Sequence, residues 1–317
     1  MSDPRKIAAR VARDLGSPAL VDALSSLPQS ELTSLLLEVF RRRSRTRTTT
    51  DLAAQYARVA ACRPSPTDAR PTSSIEAHAF AAAAAFEAVA LSPVAPLGVN
   101  TVLGQIDQNS SLGALRAFEV LADPTTVMAL ESARRRKGQP DVEVRLCAAA
   151  RMLRMQPFDN PAFSPHFALF ALTTAGRDRG DNAFELAALD EQLRVHAALF
   201  GRLATDGYRF ADIRVEVADT VRDRAGERRL AGVESRLFPP LRRDFPAITF
   251  ALDPARTHAM SYYRGLCLHT LARDQRGELQ QIGDGGFVDW TQRLSSNGKE
   301  RLLVSGVGTE LFVRCFR

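Results

Sequence analysis

Residues 262–317 constrain the fold more than any other stretch of the chain. They begin with Tyr262-Tyr263-Arg264-Gly265, pass through Gly283-Asp284-Gly285-Gly286 and close on Gly306-Val307-Gly308-Thr309-Glu310. Apolar runs at Leu266–Leu271, Leu279–Ile282 and Leu302–Val307 flank these glycines. The pattern reads as strand, turn, second strand, glycine loop, short helix and a closing glycine-rich strand. Glycine so placed serves a tight turn or lets backbone approach a ligand closely.

The upstream sequence supplies what such a hairpin array packs against. Residues 1–61 read as an N-terminal helical region, because Ile7, Val11, Leu15, Leu20, Leu24, Leu32, Leu35, Leu36, Val39 and Phe40 recur at three-to-four spacing. Ser30 is a candidate cap for the third of these helices, with Pro28 just outside it. The run Arg41–Arg47 then follows at a helix C-terminus, where cations complement the helix dipole. Residues 62–75 carry three prolines and few apolar anchors, so they read as a linker before a core spanning 76–317.

Within that core, helices are expected from Ile75 to Ala90, after Asp123-Pro124-Thr125, and from Asn182 to Leu203. Strands are expected at Val142–Met155, Phe167–Ala175, Ile213–Ala218 and Ile248–Leu252, with a proline-rich loop from Pro157 to Pro165. Hairpins follow one another without regular strand–helix–strand alternation. The expected class is therefore α+β, a mostly antiparallel sheet flanked by helices and preceded by the N-terminal helical region.

Bulk chemistry excludes several alternatives. The 317 residues carry a formal charge of +6, with Arg outnumbering a Lys set of Lys6, Lys137 and Lys299. Arg and Lys carry the same charge, so the preference itself says little about partners. Cys62, Cys147, Cys267 and Cys315 lie far apart without a Cys-x-x-Cys pair, which reads as reduced thiols rather than a zinc site. No apolar run is long enough for a membrane helix, and the first residues are too polar for a signal peptide. A cytoplasmic location is expected.

The order of motifs resembles the core of class II aminoacyl-tRNA synthetases of the histidyl type. Leu91–Leu97 is similar to the proline-rich strand start of the dimer-interface motif. Asp123-Pro124-Thr125 stands where histidyl-type enzymes have Glu-Gly-Thr opening a helix that grips the amino acid. Leu153-Arg154-Met155-Gln156 and Phe167-Ala-Leu-Phe170 resemble the second class motif, and Asp181–Leu203 the helix after it. His258-Ala-Met-Ser-Tyr262-Tyr263-Arg-Gly265 resembles Arg-Gly-Leu-Asp-Tyr-Tyr-Thr-Gly. Ile282-Gly-Asp-Gly-Gly-Phe-Val-Asp289 resembles Ile-Gly-Gly-Gly-Gly-Arg-Tyr-Asp, and Gly306–Leu311 the third motif.

The departures bear on chemistry. A core that forms adenylates must neutralise a polyphosphate, and class II cores use arginines and metal-holding carboxylates for this. Here the second-motif Glu is Gln156, the third-motif Arg falls on Leu311, and His258 and Ser261 replace the Arg and Asp before the tyrosine pair. The amino-acid-binding Gln and Glu of the returning strand correspond to Leu169 and Thr173. The chain stops soon after the third motif, so a C-terminal anticodon-binding domain is not expected. The regulatory subunit of ATP phosphoribosyltransferase is a relative with such a core and no aminoacylation.

The resemblance thus implies a non-catalytic, synthetase-like paralogue that binds an amino-acid-like ligand or a protein partner, is expected to need no cofactor and is expected to form a homodimer. Its ligand-binding residues are expected to be Asp123, Thr125, Arg154, Gln156, His258, Tyr262, Tyr263, Gly283, Gly285 and Gly286. Asp123 also suits a helix cap, and the glycines a tight turn. Strand alternation places one tyrosine of the pair in the core and the other in the pocket. His166 is a further candidate for a ligand hydrogen bond. The alternative is a divergent ATP- and Mg-dependent ligase for an amino or carboxylic acid, with Arg154, Arg177, Arg179 or Arg264 taking over a lost role. A third reading is RNA binding through Arg41–Arg47, although the run lacks interleaved aromatics for stacking on bases.

Overall fold

A computed structural model describes residues 3–156, 164–257 and 261–317. The N-terminal region is helical: α1 (Pro4–Asp14), α2 (Leu20–Ser26), α3 (Gln29–Arg45) and α4 (Thr49–Arg58). Thr48 and Asp51 cap α4 reciprocally, side chain to backbone in both directions. Ser30 lies inside α3 rather than at its cap, because the helix already starts behind Pro28. The Arg41–Arg47 run continues α3 to Arg45.

Helix α5 (Ala69–Ala82) begins inside the stretch read as linker. Asp68 accepts a hydrogen bond from Arg70 N, and Pro71 falls in the first turn, where a missing N–H costs nothing. Ile75 and Ala79 are fully buried on it. The helix stops at Ala82, short of the expected Ala90, and β1 (Glu87–Ala88) follows.

A small sheet comes next, from β2 (Val94–Pro96), β3 (Gly113–Ala114) and β4 (Phe118–Val120), with the short α6 (Val99–Val102) between its strands. Helix α7 (Pro124–Gly138) starts at Asp123, as the Asp-Pro-Thr signal requires. The main strands are β5 (Val144–Leu153), β6 (His166–Arg177), β7 (Ala211–Asp219), β8 (Ile248–Leu252), β9 (Leu266–Arg273), β10 (Leu279–Val288) and β11 (Glu300–Gly308). Between them lie α8 (Ala183–Thr205), α9 (Arg224–Gly232), α10 (Phe238–Asp244) and α11 (Trp290–Ser295), and α12 (Thr309–Phe316) ends the chain. Most of the Pro157–Pro165 loop lies outside the described residues.

The large sheet runs β1-β5-β6-β11-β10-β9-β7-β8. Its five inner pairings are antiparallel, and only the two edge pairs, β1–β5 and β7–β8, are parallel. The expected class, a mostly antiparallel sheet with flanking helices, is the fold observed. One detail differs. Gly283, Gly285 and Gly286 are not in a turn or loop; they sit within β10, paired on both sides.

Each face of the sheet has its own apolar core. On one, α5, α8, α10 and α12 pack with aromatics that include Phe170, Phe184, Phe200, Phe238, Phe312 and Phe316. On the other, Met128 and Ala129 of α7 meet Leu146, Ala148, Ala171, Tyr263 and Trp290. The candidate site opens on this second face.

Candidate functional site

Register fixes the floor of the site. Ala148, Ala171, Gly306, Asp284, His269 and Glu216 lie side by side across β5, β6, β11, β10, β9 and β7. Neighbouring partners in a sheet share a face, so these residues form one row. Its first half is small and apolar, which leaves open space above it. Its second half is charged and polar.

That space is a cavity of about 610 Å³, within the usual range for small-molecule sites. Asp123, Thr125 and Arg154 line one side, Tyr262, Tyr263, Gly283 and Asp284 another, and Leu311 and Arg314 of α12 the far end. Phe167, Leu169, Ile282 and Val304 supply apolar wall. Six of the ten expected ligand residues therefore come together. Gln156 is half-buried and Gly285 and Gly286 are buried, and none of the three lines the cavity. His258 lies outside the described residues.

The tyrosines correct an expectation. Both face the cavity, because residues 261–265 form a turn rather than a strand. Gly265 ends that turn at φ +90°, a conformation that suits glycine. Gly265 N donates to Thr220 Oγ1 at 2.7 Å, and Arg264 N donates to Phe287 O at 2.7 Å, which pins the turn to the sheet. Gly286 has an indirect role here. A Cβ on it would stand 2.6 Å from the Tyr263 ring and 2.8 Å from Cys267 Cβ, so the glycine seats that ring. Gly285 is likewise pressed against β11, with a Cβ position 2.5 Å from Ser305. Tyr262 packs edge-on against Tyr263 at 4.9 Å and Trp290 at 5.8 Å.

Among the described residues, every charged group lining the cavity meets an opposite charge. Asp123 caps α7, accepting from Thr125 N at 2.9 Å and Thr125 Oγ1 at 2.6 Å, and stands 3.6 Å from Arg154. Asp123 is thus the helix cap, and it also lines the cavity. Arg154 also donates to Ala122 O at 3.0 Å and lies over Phe167. Asp284 accepts from Gly285 N at 2.9 Å and from Arg256 at 3.1 Å. Glu310, 2% exposed, takes Arg151 on one oxygen and Arg314 at 3.6 Å on the other.

Burial raises the pKa of Asp284, with Arg256 pulling the other way. Burial also holds the Tyr262 and Tyr263 hydroxyls well above their usual range, and the charges of Asp123 and Asp284 respectively add to this. Both tyrosines are neutral donors at physiological pH.

Arg256, Asp284 and Arg314 were missed by sequence reasoning. Arg256 stands two residues before His258, where the motif alignment looked for the arginine. Its loop is clamped by Arg222, which donates to Pro254 O and to Arg256 O. Arg314 lies three residues beyond Leu311 on α12, so helical spacing brings it to the same face. The signal for both was a displaced arginine near a lost one. Of the arginines weighed from sequence, Arg177, Arg179 and Arg264 pair with Asp141, Glu143 and Asp289 instead of lining the cavity. His166 is also outside it, between Arg151 and Arg63 O.

Glu216, Asp253 and His269 are close enough together to suggest a metal centre. The hydrogen bonds oppose that use. Arg256 stands 3.2 Å from His269 Nδ1 and can only donate, so Nδ1 accepts. The ring proton is then on Nε2, which donates to Glu216 at 2.5 Å. In this geometry Nε2 has no lone pair for a metal.

No protein-family model matches the chain, and no curated protein matches it by sequence. Solved structures do. An ATP phosphoribosyltransferase regulatory subunit/histidyl-tRNA synthetase from Bacillus halodurans superposes at TM-score 0.57 and 11% identity, over 80% of this chain and 82% of that one. A histidine–tRNA ligase subunit from Alicyclobacillus acidocaldarius gives 0.52 and 15%, over 79% and 94%. Apo histidyl-tRNA synthetase from S. aureus gives 0.51 and 12% over 77% of this chain, which spans 64% of that enzyme. The motif order read from sequence, the antiparallel sheet and these superpositions agree: the chain has the fold of a class II aminoacyl-tRNA synthetase core, shared with histidyl-tRNA synthetase and the ATP phosphoribosyltransferase regulatory subunit.

Proposed function

We propose that this protein is a non-catalytic, synthetase-like binding or regulatory subunit that holds a small amino-acid-like ligand in the cavity and works as a homodimer with a protein partner. The observation that carries this reading is the pairing of charge. Arg154 faces Asp123, Arg314 faces Glu310, and Arg256 beneath the floor holds Asp284. A bound triphosphate needs cations that its own phosphates can neutralise, whereas these guanidiniums already have carboxylates. A small zwitterion suits such a wall better, with the tyrosine hydroxyls as donors and Phe167 and Leu169 as apolar surface.

Calorimetry tests this, with amino acids as titrants, histidine first, and then ATP. The proposal expects saturable heat from an amino acid and none from ATP. Saturation by ATP with no amino-acid signal would refute it.

A second reading, a divergent ATP-dependent ligase, is favoured by one observation. Arg314 reaches the cavity end from which Leu311 removes the third-motif arginine. Undetectable ATP binding at millimolar concentration eliminates it.

A further inference from the structure

Register also sets the composition of one half of the cavity. On β6, Phe167, Leu169 and Ala171 alternate onto the cavity face, with Gly308 of β11 opposite Leu169 and Gly306 opposite Ala171. On β10, Ile282 shares the face of Asp284, two residues away. Leu311 of α12 closes the end. These side chains form one hydrocarbon surface across three strands and a helix. Glycine keeps it hollow. A Cβ on Gly308 would stand 3.3 Å from Leu311 Cβ and 3.8 Å from Leu169 Cδ2, so a methyl there would fill the gap between the two leucines. Thr173, the next position on that face of β6, is fully buried and does not line the cavity.

The charges stand at the edges of this surface and are already matched. Asp123 has Arg154, Asp284 has Arg256, and Glu310 has Arg151 and Arg314. A ligand side chain with a charge of its own would lose its water here and meet no unmatched partner. An apolar side chain has no such cost and gains burial. We infer that the cavity selects an α-amino acid with an apolar side chain, of the size of leucine or phenylalanine. The side chain lies over Ala171 and Gly306, against Phe167, Leu169 and Ile282, while the ammonium and carboxylate groups stay at Asp123 and Arg154. A cavity of about 610 Å³ has room for either side chain. Leu169 determines the specificity, because it is half-buried in the middle of the β6 face, between Phe167 and Ala171.

This inference rests on the ligand reading above and narrows it from amino-acid-like to one class of side chain. Calorimetry on the full chain tests it, with L-leucine, L-phenylalanine, L-alanine, L-histidine, L-lysine and L-glutamate as titrants. Leucine and phenylalanine are expected to bind at least about tenfold tighter than alanine, the usual yield of added methylene groups in an apolar pocket. Histidine is expected about tenfold below leucine, because its ring nitrogens lose water against hydrocarbon, and lysine and glutamate are expected to be weakest. In Leu169→Gln the preference for leucine over histidine should disappear, and in Leu169→Met it should remain. A merely structural role for Leu169 would weaken both ligands together and leave their ratio unchanged. Tighter binding of histidine, lysine or glutamate than of leucine would overturn the inference and leave the ligand reading standing. Equal affinity for leucine and alanine would do the same, as would an unchanged ratio in Leu169→Gln. Saturation by none of the amino acids would remove both readings.

Discussion

The two faces of the central sheet are built from the same strands and do opposite things. On the α8 side, Ser305 points into a buried, uncharged network. Its hydroxyl donates to Gln192 Oε1 at 2.7 Å and lies 3.2 Å from His196 Nε2, while Gln192 Nε2 donates to Thr174 at 3.0 Å. One residue along β11, Gly306 faces the cavity beside Asp284, and the polar groups there are charged and partly wet. Bulky aromatics close the first face, and Ala171 and Gly306 leave the second open. The comparison separates two tasks. One face supplies stability. The other keeps its charges matched in pairs around a space.

The difference can be broken from either side. Replacing Phe170, 1% exposed and edge-on to Phe80 at 5.3 Å, with Ala is expected to destabilise the chain by about 3–5 kcal/mol. Urea unfolding measures this, and the folded fraction should still bind histidine. A value under about 1 kcal/mol would mean that the aromatic face is not the stabilising one.

His196 gives the pH counterpart. Complete burial pushes its imidazole from the ordinary 6.5 down to about 4. The unfolded chain therefore binds the proton first. Stability from this group is full above the ordinary value and is lost as pH falls towards about 4, a loss of about 3 kcal/mol. Urea midpoints across that window, compared with H196Q, isolate the contribution. Equal slopes for the two proteins would remove it.

Gly286→Ala acts between the faces. The added methyl overlaps Tyr263 and Cys267, so a cost of about 1–3 kcal/mol is expected together with loss of ligand heat, because the displaced ring lines the cavity. Unchanged binding would mean that Tyr263 takes no part in the site. The smallest stability effect belongs to Arg154→Ala, about 0–1 kcal/mol, since its pair with Asp123 is 3.6 Å long and partly exposed. Its calorimetric signature should be weaker ligand binding at nearly unchanged urea midpoint.

The sequence made much of the fold legible and less of the site. Periodicity located β5 to β11 within a few residues, apart from the glycines of β10, because apolar runs bounded by turn residues mark each strand. The Asp123-Pro124 signal placed α7, since a cap is local chemistry. Gly283–Gly286 misled, because glycine in a turn and glycine pressed under an aromatic ring look alike until Tyr263 is placed above it. Strand alternation failed for Tyr262 and Tyr263 because a turn aims both the same way. Arg256 and Arg314 were invisible to motif matching, which looks for a residue at a position; the fold brings them to the site from neighbouring positions. Pairing of charges across β7, β9 and β10 depends on register, and register is not written in any one segment.

Amino-acid-dependent pyrophosphate exchange tests the central claim most directly, because it reads adenylate formation itself. With ATP, Mg and each amino acid in turn, the paired arginines predict exchange no faster than a protein-free control. Robust exchange with any amino acid, abolished by Arg314→Ala, would contradict the account and make the cavity a working ligase site.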